Sequence, residues 1–204
     1  MSLEKKYVTV TDKDTVNELI EHIQNSDVIA LDTETDSLNM RTGNIVGWSV
    51  SGEEGVGYYL PTLVWNSTKQ VLEERFIEGK GAHDISKNLL SMLKDKKLVC
   101  HNASFDLRYI QNYYNIDLVN NLWVDTGMLV HTVYEEGAFG YGTPFGLKSI
   151  AIMNQEELGL DVEKAANEEQ ITLKENIKAN GGEVTKENFE IFKADLDILS
   201  EYAA

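Results

Sequence analysis

Short apolar runs alternate with stripes at helical spacing along the chain. Tyr7-Val8-Thr9-Val10 reads as a strand, and Thr11 with Asp14 three residues on reads as an N-cap and its acidic partner. Val16, Leu19, Ile20 and Ile23 then predict a helix over 12–25. Val28 to Glu34 is a buried strand. Asn44 to Val50 and Val56 to Leu60 form a hairpin about the turn Gly52-Glu53-Glu54-Gly55, ended by Pro61. Ile85, Leu89, Met92 and Leu93 mark a second helix, and Leu98-Val99-Cys100 a short strand. Phe105, Tyr109 and Tyr113 mark a helix that starts directly after it, with Asn102 placed to cap it. Leu122-Trp123-Val124 is one more strand, leading into a helix near 126–135 that Asp125 is placed to cap. Gly137 to Pro144 reads as a flexible aromatic loop. Phe145 to Met153 and stretches of 160–204 read as helical, broken at Gly181-Gly182, with Phe189, Phe192, Leu196 and Leu199 on one stripe. This order predicts an α/β domain of three layers around a mixed sheet.

Composition narrows the class. The 204 residues, 42% of them hydrophobic, suit one sizeable domain with a real core. No apolar stretch approaches the ~20 residues that span a bilayer, and "MSLEKKYVTV" lacks the apolar core of a signal peptide. The single cysteine, Cys100, excludes an internal disulfide. A cytoplasmic protein is expected. The net charge of -16 argues against a basic DNA-binding module, because phosphate contacts need Lys and Arg. If nucleic acid is the substrate, divalent cations or a basic neighbouring domain must offset the repulsion.

The candidate chemistry sits at strand ends, where ligands gather in such sheets. In "VIALDTETDSLN", Asp32 and Glu34 follow an apolar run and point the same way, since strand side chains alternate. Two crowded carboxylates repel and are costly to desolvate. Either one takes up a proton or a cation sits between them, and all-oxygen ligands suit Mg²⁺ or Mn²⁺. Alone, D-x-E also fits a solvated turn in which Asp32 caps a helix. In "LVCHNASFDLRYI", Asn102 and Asp106 are four apart and share a helical face. Taken singly they read as a cap and a first-turn acid favoured by the helix dipole.

Together, "DTETDSL" and "HNASFD" resemble the first two motifs of the DnaQ-like (DEDD) 3'–5' exonucleases. The likeness is greatest to the proofreading domains of family A, polymerase-I-like DNA polymerases, with phage enzymes among them. "WVDTGMLVHTVYEEG" and "GLKSIA" resemble that family's connecting segments. The resemblance implies an RNase H-like fold and two divalent ions, Mg²⁺ or Mn²⁺. Asp32 and Glu34 match the first-motif metal ligands, and Asp106 the second-motif acid acting on the second metal. Leu38 and Asn102, with Thr33, match positions that contact the terminal nucleotide or its phosphate. In "SEYAA", Tyr202 matches the tyrosine of a Y-x-x-x-D third motif, which orients the attacking water. That motif's aspartate falls at position 206, so residues 1–204 are expected to form a single exonuclease domain that stops short of this acid and of a C-terminal polymerase domain. A monomer acting on single-stranded DNA 3' ends is expected.

Two competing functions remain at this point. An RNase D-like RNA-trimming nuclease shares the site chemistry, and a non-catalytic exonuclease-fold scaffold shares the fold. His22, His83, His101 and His131 have no metal-ligand spacing and read as structural. Phe139, Tyr141 and Phe145 could stack on bases in a single-strand groove or pack in core or loop. Cys100 reads as a small buried hydrophobe. Residues 155–195, with their acids and the Gly181-Gly182 break, suit an insertion bordering the nucleic-acid groove.

Overall fold

The computed structural model describes residues 6–133, 146–153, 162–185 and 188–203; Phe139, Tyr141 and Phe145 lie outside them. In chain order the elements begin with β1 (Lys6–Thr9), α1 (Lys13–Asn25), β2 (Val28–Thr35), β3 (Ile45–Glu53) and β4 (Val56–Pro61). Two small hairpins follow, β5 (Leu63–Asn66) with β6 (Val71–Glu74) and β7 (Phe76–Ile77) with β8 (Lys80–Gly81). The remainder comprises α2 (Ala82–Met92), β9 (Lys97–Cys100), α3 (Ala103–Tyr114), β10 (Leu122–Asp125), α4 (Thr126–Val133), α5 (Leu147–Met153), α6 (Val162–Ala179) and α7 (Leu196–Ala203).

The main sheet has six strands in the order β1-β4-β3-β2-β9-β10. β2 runs antiparallel to β3 and parallel to β9, so the sheet is mixed. Strand alternation splits its residues between two cores. Ile29, Leu31, Trp48, Val50, Tyr58 and Leu60 turn to one face, where α1, α2 and α3 bring Leu19, Ile23, Leu90, Leu107 and Ile110. Tyr59 turns to the other, and so does Val46, because the β2–β3 register shifts between Gly47 and Ile45; there α6 and α7 bring Leu173, Ile177 and Leu199. The result is the expected three-layer, RNase H-like arrangement. No helix among the described residues is long and apolar enough to cross a membrane.

Several local expectations change. The N-cap of α1 is Asp12, not Thr11: its carboxylate accepts from the Thr15 N–H at 2.8 Å, and the Thr15 hydroxyl reaches back to the Asp12 N–H at 3.2 Å. The hairpins of 63–81 are absent from the predicted elements, because their strands run only two to four residues and leave no period to read. Phe189, Phe192, Leu196 and Leu199 do share one core, but not one helix. Phe189 bridges Val184, Phe192 lies in a 3₁₀ turn, and only the last two belong to α7.

Trp48 is the largest side chain wholly inside the sheet, and its indole N–H donates to the buried Ser86 hydroxyl of α2 at 2.9 Å. Ser86→Ala leaves that N–H unsatisfied and is expected to cost roughly 1–3 kcal/mol. Chemical denaturation should show a lower midpoint at unchanged slope; an unchanged midpoint would show that the indole finds another acceptor.

Candidate active site

Alternation along β2 sends Ile29, Leu31 and Thr33 inward, and Ala30, Asp32 and Glu34 to the opposite face. There Asp32 pairs with Ser49 of β3, and Glu34 with Gly47, which has no side chain to crowd it. α6 and α7 leave this part of the sheet open. Asp32 is accessible to solvent but ringed by protein, and that crowding pushes its carboxyl up to about 6.

Asp106 approaches from the other side. The backbone enters α3 through Asn102, which takes a left-handed conformation (φ 61) that asparagine tolerates better than most residues. The expected capping by the Asn102 side chain is not found. Asp125, at the end of β10, does that work: its carboxylate accepts from the N–H groups of Asn102 (3.1 Å) and Ala103 (2.9 Å). It also accepts from Gly127 (2.9 Å) at the start of α4, as expected. One acid thus fixes the start of both helices. Four residues on, Asp106 is 2% exposed, and its Oδ1 accepts from the Thr33 N–H (3.0 Å) and hydroxyl (2.6 Å). Burial, and then the Asp32 charge, push its carboxyl up to about 7 against the pull of those two bonds.

The loop after β2 is tied down by short-range bonds. The Asp36 carboxylate accepts from the Asn44 N–H (2.6 Å) and amide (2.7 Å), and the Tyr109 hydroxyl of α3 donates to the Ser37 carbonyl. A side chain at Gly43 would collide with the Tyr109 hydroxyl, so the close return of the loop requires glycine there. The loop projects Leu38, 76% exposed, over a cleft of about 580 Å³. Thr33, Glu34, Leu38 and Tyr202 all line this cleft. Tyr202 comes from α7, which packs on the second core and is tied to β1 by a Thr9–Ser200 hydroxyl bond. Burial, with the Glu34 and Asp32 charges, pushes its phenol up to about 12.

Of the predicted site residues, then, Thr33, Glu34, Leu38 and Tyr202 share the cleft. Asp32 opens into an adjoining apolar hollow of about 250 Å³, Asp106 lies bonded beneath Thr33, and Asn102 stays exposed outside the lining. Phe105, Asn188 and Phe189 also line the cleft and were not among the predicted site residues. Phe105 could be read only as part of an apolar stripe. The 155–195 region does border the cleft, through Asn188, Phe189 and Ile191.

The donor chemistry fits a hard cation: burial raises the proton affinity of both carboxyls, the Asp32 charge adds to that of Asp106, and oxygen ligands are what Mg²⁺ and Mn²⁺ prefer. Among the described residues, no three His, Cys, Asp or Glu side chains close on one point.

Residues 7–174 match the family model described as 3'-5' exonuclease. DNA polymerase I of Borreliella burgdorferi is 31% identical over 113 residues, which cover 52% of this chain but only 11% of that polymerase. The fold is similar to the EXO domain of Aedes aegypti Nibbler (TM-score 0.54, 12% identity, covering 100% of this chain and 84% of that one). It is also similar to Brucella melitensis NrnC bound to pGG (TM-score 0.51, 16% identity, covering 98% and 73%). At such identities the structural likeness speaks for the fold alone.

The raised carboxyls set a pH dependence. A carboxyl whose folded pKa lies above its unfolded value stabilises the fold at low pH and loses that contribution as pH rises through the folded value. For Asp106 the window runs from near 4 to about 7. In chelator, the chain should lose up to ~4 kcal/mol across that window relative to Asp106→Asn. Thermal unfolding of both at pH 4, 5.5 and 8 checks this; parallel curves would contradict it.

Proposed function

The chain belongs to the 3'-5' exonuclease family, and on that premise we propose that it removes nucleotides from single-stranded DNA 3' ends as the proofreading module of a polymerase-I-like DNA polymerase in the cytoplasm. The observation that carries the proposal is the convergence of three remote segments. Glu34 from β2 and Tyr202 from α7 line one cleft, Asp32 opens beside it, and Asp106 from α3 is bonded to Thr33 in its wall, in the order and types of the first two exonuclease motifs and the third-motif tyrosine. The partial match to a DNA polymerase I favours DNA over RNA.

In this reading Asp32 and Glu34 would hold one divalent ion, and Asp106 would serve the second. Bound ions supply charge neutralisation at the phosphodiester and favour ionisation of the attacking water. The protein's own groups do the rest. Thr33 holds Asp106 in one orientation through two hydrogen bonds. Tyr202, with its phenol pushed up to about 12, stays protonated at neutral pH and can orient water by donating or accepting a hydrogen bond. Leu38, with Asn102 and Thr33, positions the terminal nucleotide; the exposed Leu38 side chain presents an apolar surface for its base. Such contacts read no base sequence, so cleavage should be sequence-tolerant. In this reading an aspartate four residues after Tyr202 would share its helical face and complete the Y-x-x-x-D pattern.

The test is degradation of a 5'-labelled DNA oligonucleotide with Mg²⁺ or Mn²⁺, beside RNA of the same sequence. The chain is assayed alone and with two added residues that put an aspartate at position 206. A 3' ladder is expected, stronger in the extended version. Asp32→Ala should reduce it by roughly 10³-fold or more, and Tyr202→Phe by roughly 10–10². RNA degraded faster than DNA would overturn the polymerase assignment. No ladder in either version, or one indifferent to Asp32→Ala, would return the domain to a scaffold.

A further inference from the structure

A second cleft, of about 440 Å³, lies on the other side of the 191–193 turn from the acids: Ile191 lines the first cleft, while Phe192 and Lys193 line this one. Its chemistry differs from the rest of this acidic chain. The Trp65 and Phe192 rings pack at 5.3 Å between centroids, and the Lys193 ammonium sits 5.1 Å from the Trp65 ring centre. Lys193 is partly neutralised, by Glu190 at 3.0 Å, and it also donates to the Gly181 carbonyl at 3.2 Å. Asp195 adds a negative charge to the lining, but both its oxygens are held, by the side-chain amides of Asn176 (2.7 Å) and Asn180 (3.1 Å).

Arg75 is the unmet group. It is half-buried in the cleft wall, and its Nε is buried without a hydrogen-bond partner. Among the described residues no carboxylate forms an ion pair with it, in a chain where acids outnumber bases by 34 to 18. A guanidinium carries five donors and no acceptor, and leaving a buried donor unmade is costly. The arrangement calls for an anionic acceptor at Arg75. Beside it, the Trp65 and Phe192 rings, tilted 50° to each other, form an aromatic corner against which a planar ring can pack. Arginine's fork suits phosphate bidentately.

We infer that this cleft binds a nucleotide unit outside the reaction cleft, its phosphate on Arg75 and its base against Trp65 and Phe192. The ligand is either a free nucleoside monophosphate or one nucleotide of a strand whose 3' end lies among the acids. The strand alternative rests on the exonuclease reading, but the site itself includes no metal ligand, so binding here is tested separately from that reading.

The test uses the whole chain in chelator, where the uncompensated acids of the first cleft repel phosphate. Trp48 is buried, so in a Trp123→Phe background the accessible tryptophan emission comes from Trp65. Titration with dAMP and with a ten-nucleotide oligo(dA) should quench it saturably, and adenosine or inorganic phosphate alone should bind at least tenfold more weakly. Arg75→Gln should weaken binding at least tenfold, and Asp32→Asn should leave it unchanged. Tighter binding of dAMP than of the oligonucleotide assigns the site to a free nucleotide, and the reverse to the strand. Absence of saturable quenching by either, or equal binding by Arg75→Gln, overturns the inference. Should Arg75→Gln fail to fold by circular dichroism, Trp65→Leu read by calorimetry decides by the same criterion.

Discussion

The site depends on one paired hydrogen bond: the Thr33 N–H and hydroxyl both donate to a single oxygen of Asp106. Thr33 sits between Asp32 and Glu34 on the strand, but its side chain faces inward. By seizing Asp106 from below, it fixes α3 against the strand that carries the other two acids. The bond also sets the electrostatics. Charge-assisted bonds to a carboxylate favour its ionised form, whereas burial and Asp32 oppose it. The upward shift of Asp106 shows that opposition prevailing. The orientation of this group is therefore settled, while its charge stays adjustable near neutral pH.

That placement needs both faces of the sheet. α1, α2 and α3 fill one face with a continuous apolar core, which makes the position of Asp106 rigid. Among the described residues, α6 and α7 cover only part of the other face and leave Asp32 exposed and Glu34 half-buried. A symmetric sandwich would bury both acids beyond the reach of a polymer. The partial cover leaves room for a strand end and still brings Tyr202 in from the side. Asp125 serves the same arrangement from a distance, since one carboxylate sets the first turns of both α3 and α4.

What the sequence makes legible follows from the range of the interactions. Asp32 and Glu34 can be read as partners because strand alternation is a local rule, and β2 is long and regular. The main helices can be read because their apolar positions repeat over three or four turns. The capping role of Asp125 toward α4 is also local, two residues away, whereas its role toward α3 spans more than twenty and carries no sequence signal. Asn188 and Phe189 reach the cleft only because the chain reverses after α6 through Gly181, whose φ of 73 suits glycine. No period announces such a return. Arg75 hides for the same reason: it lies between two hairpins of two- to four-residue strands, and only their folding places it opposite Phe192 and Lys193.

A chain of net charge -16 that handles a polyanion must solve its own repulsion. The positions of Asp32 and Asp106 on the pH scale suggest how. With carboxyls pushed up to about 6 and about 7, protons and any divalent cation held there in the proposed function would compete for the same oxygens near neutrality. Whichever binds removes the charge that would turn a phosphate away, but only the cation also draws the phosphate in. The same acidity that disfavours a strand elsewhere on the surface would therefore, in the proposed function, confine productive approach to the place where cations are held. In the proposed function, selectivity for a frayed end over a duplex would then need no base-reading groups; it would follow from a cleft whose attraction is local and whose rim carries the exposed Leu38.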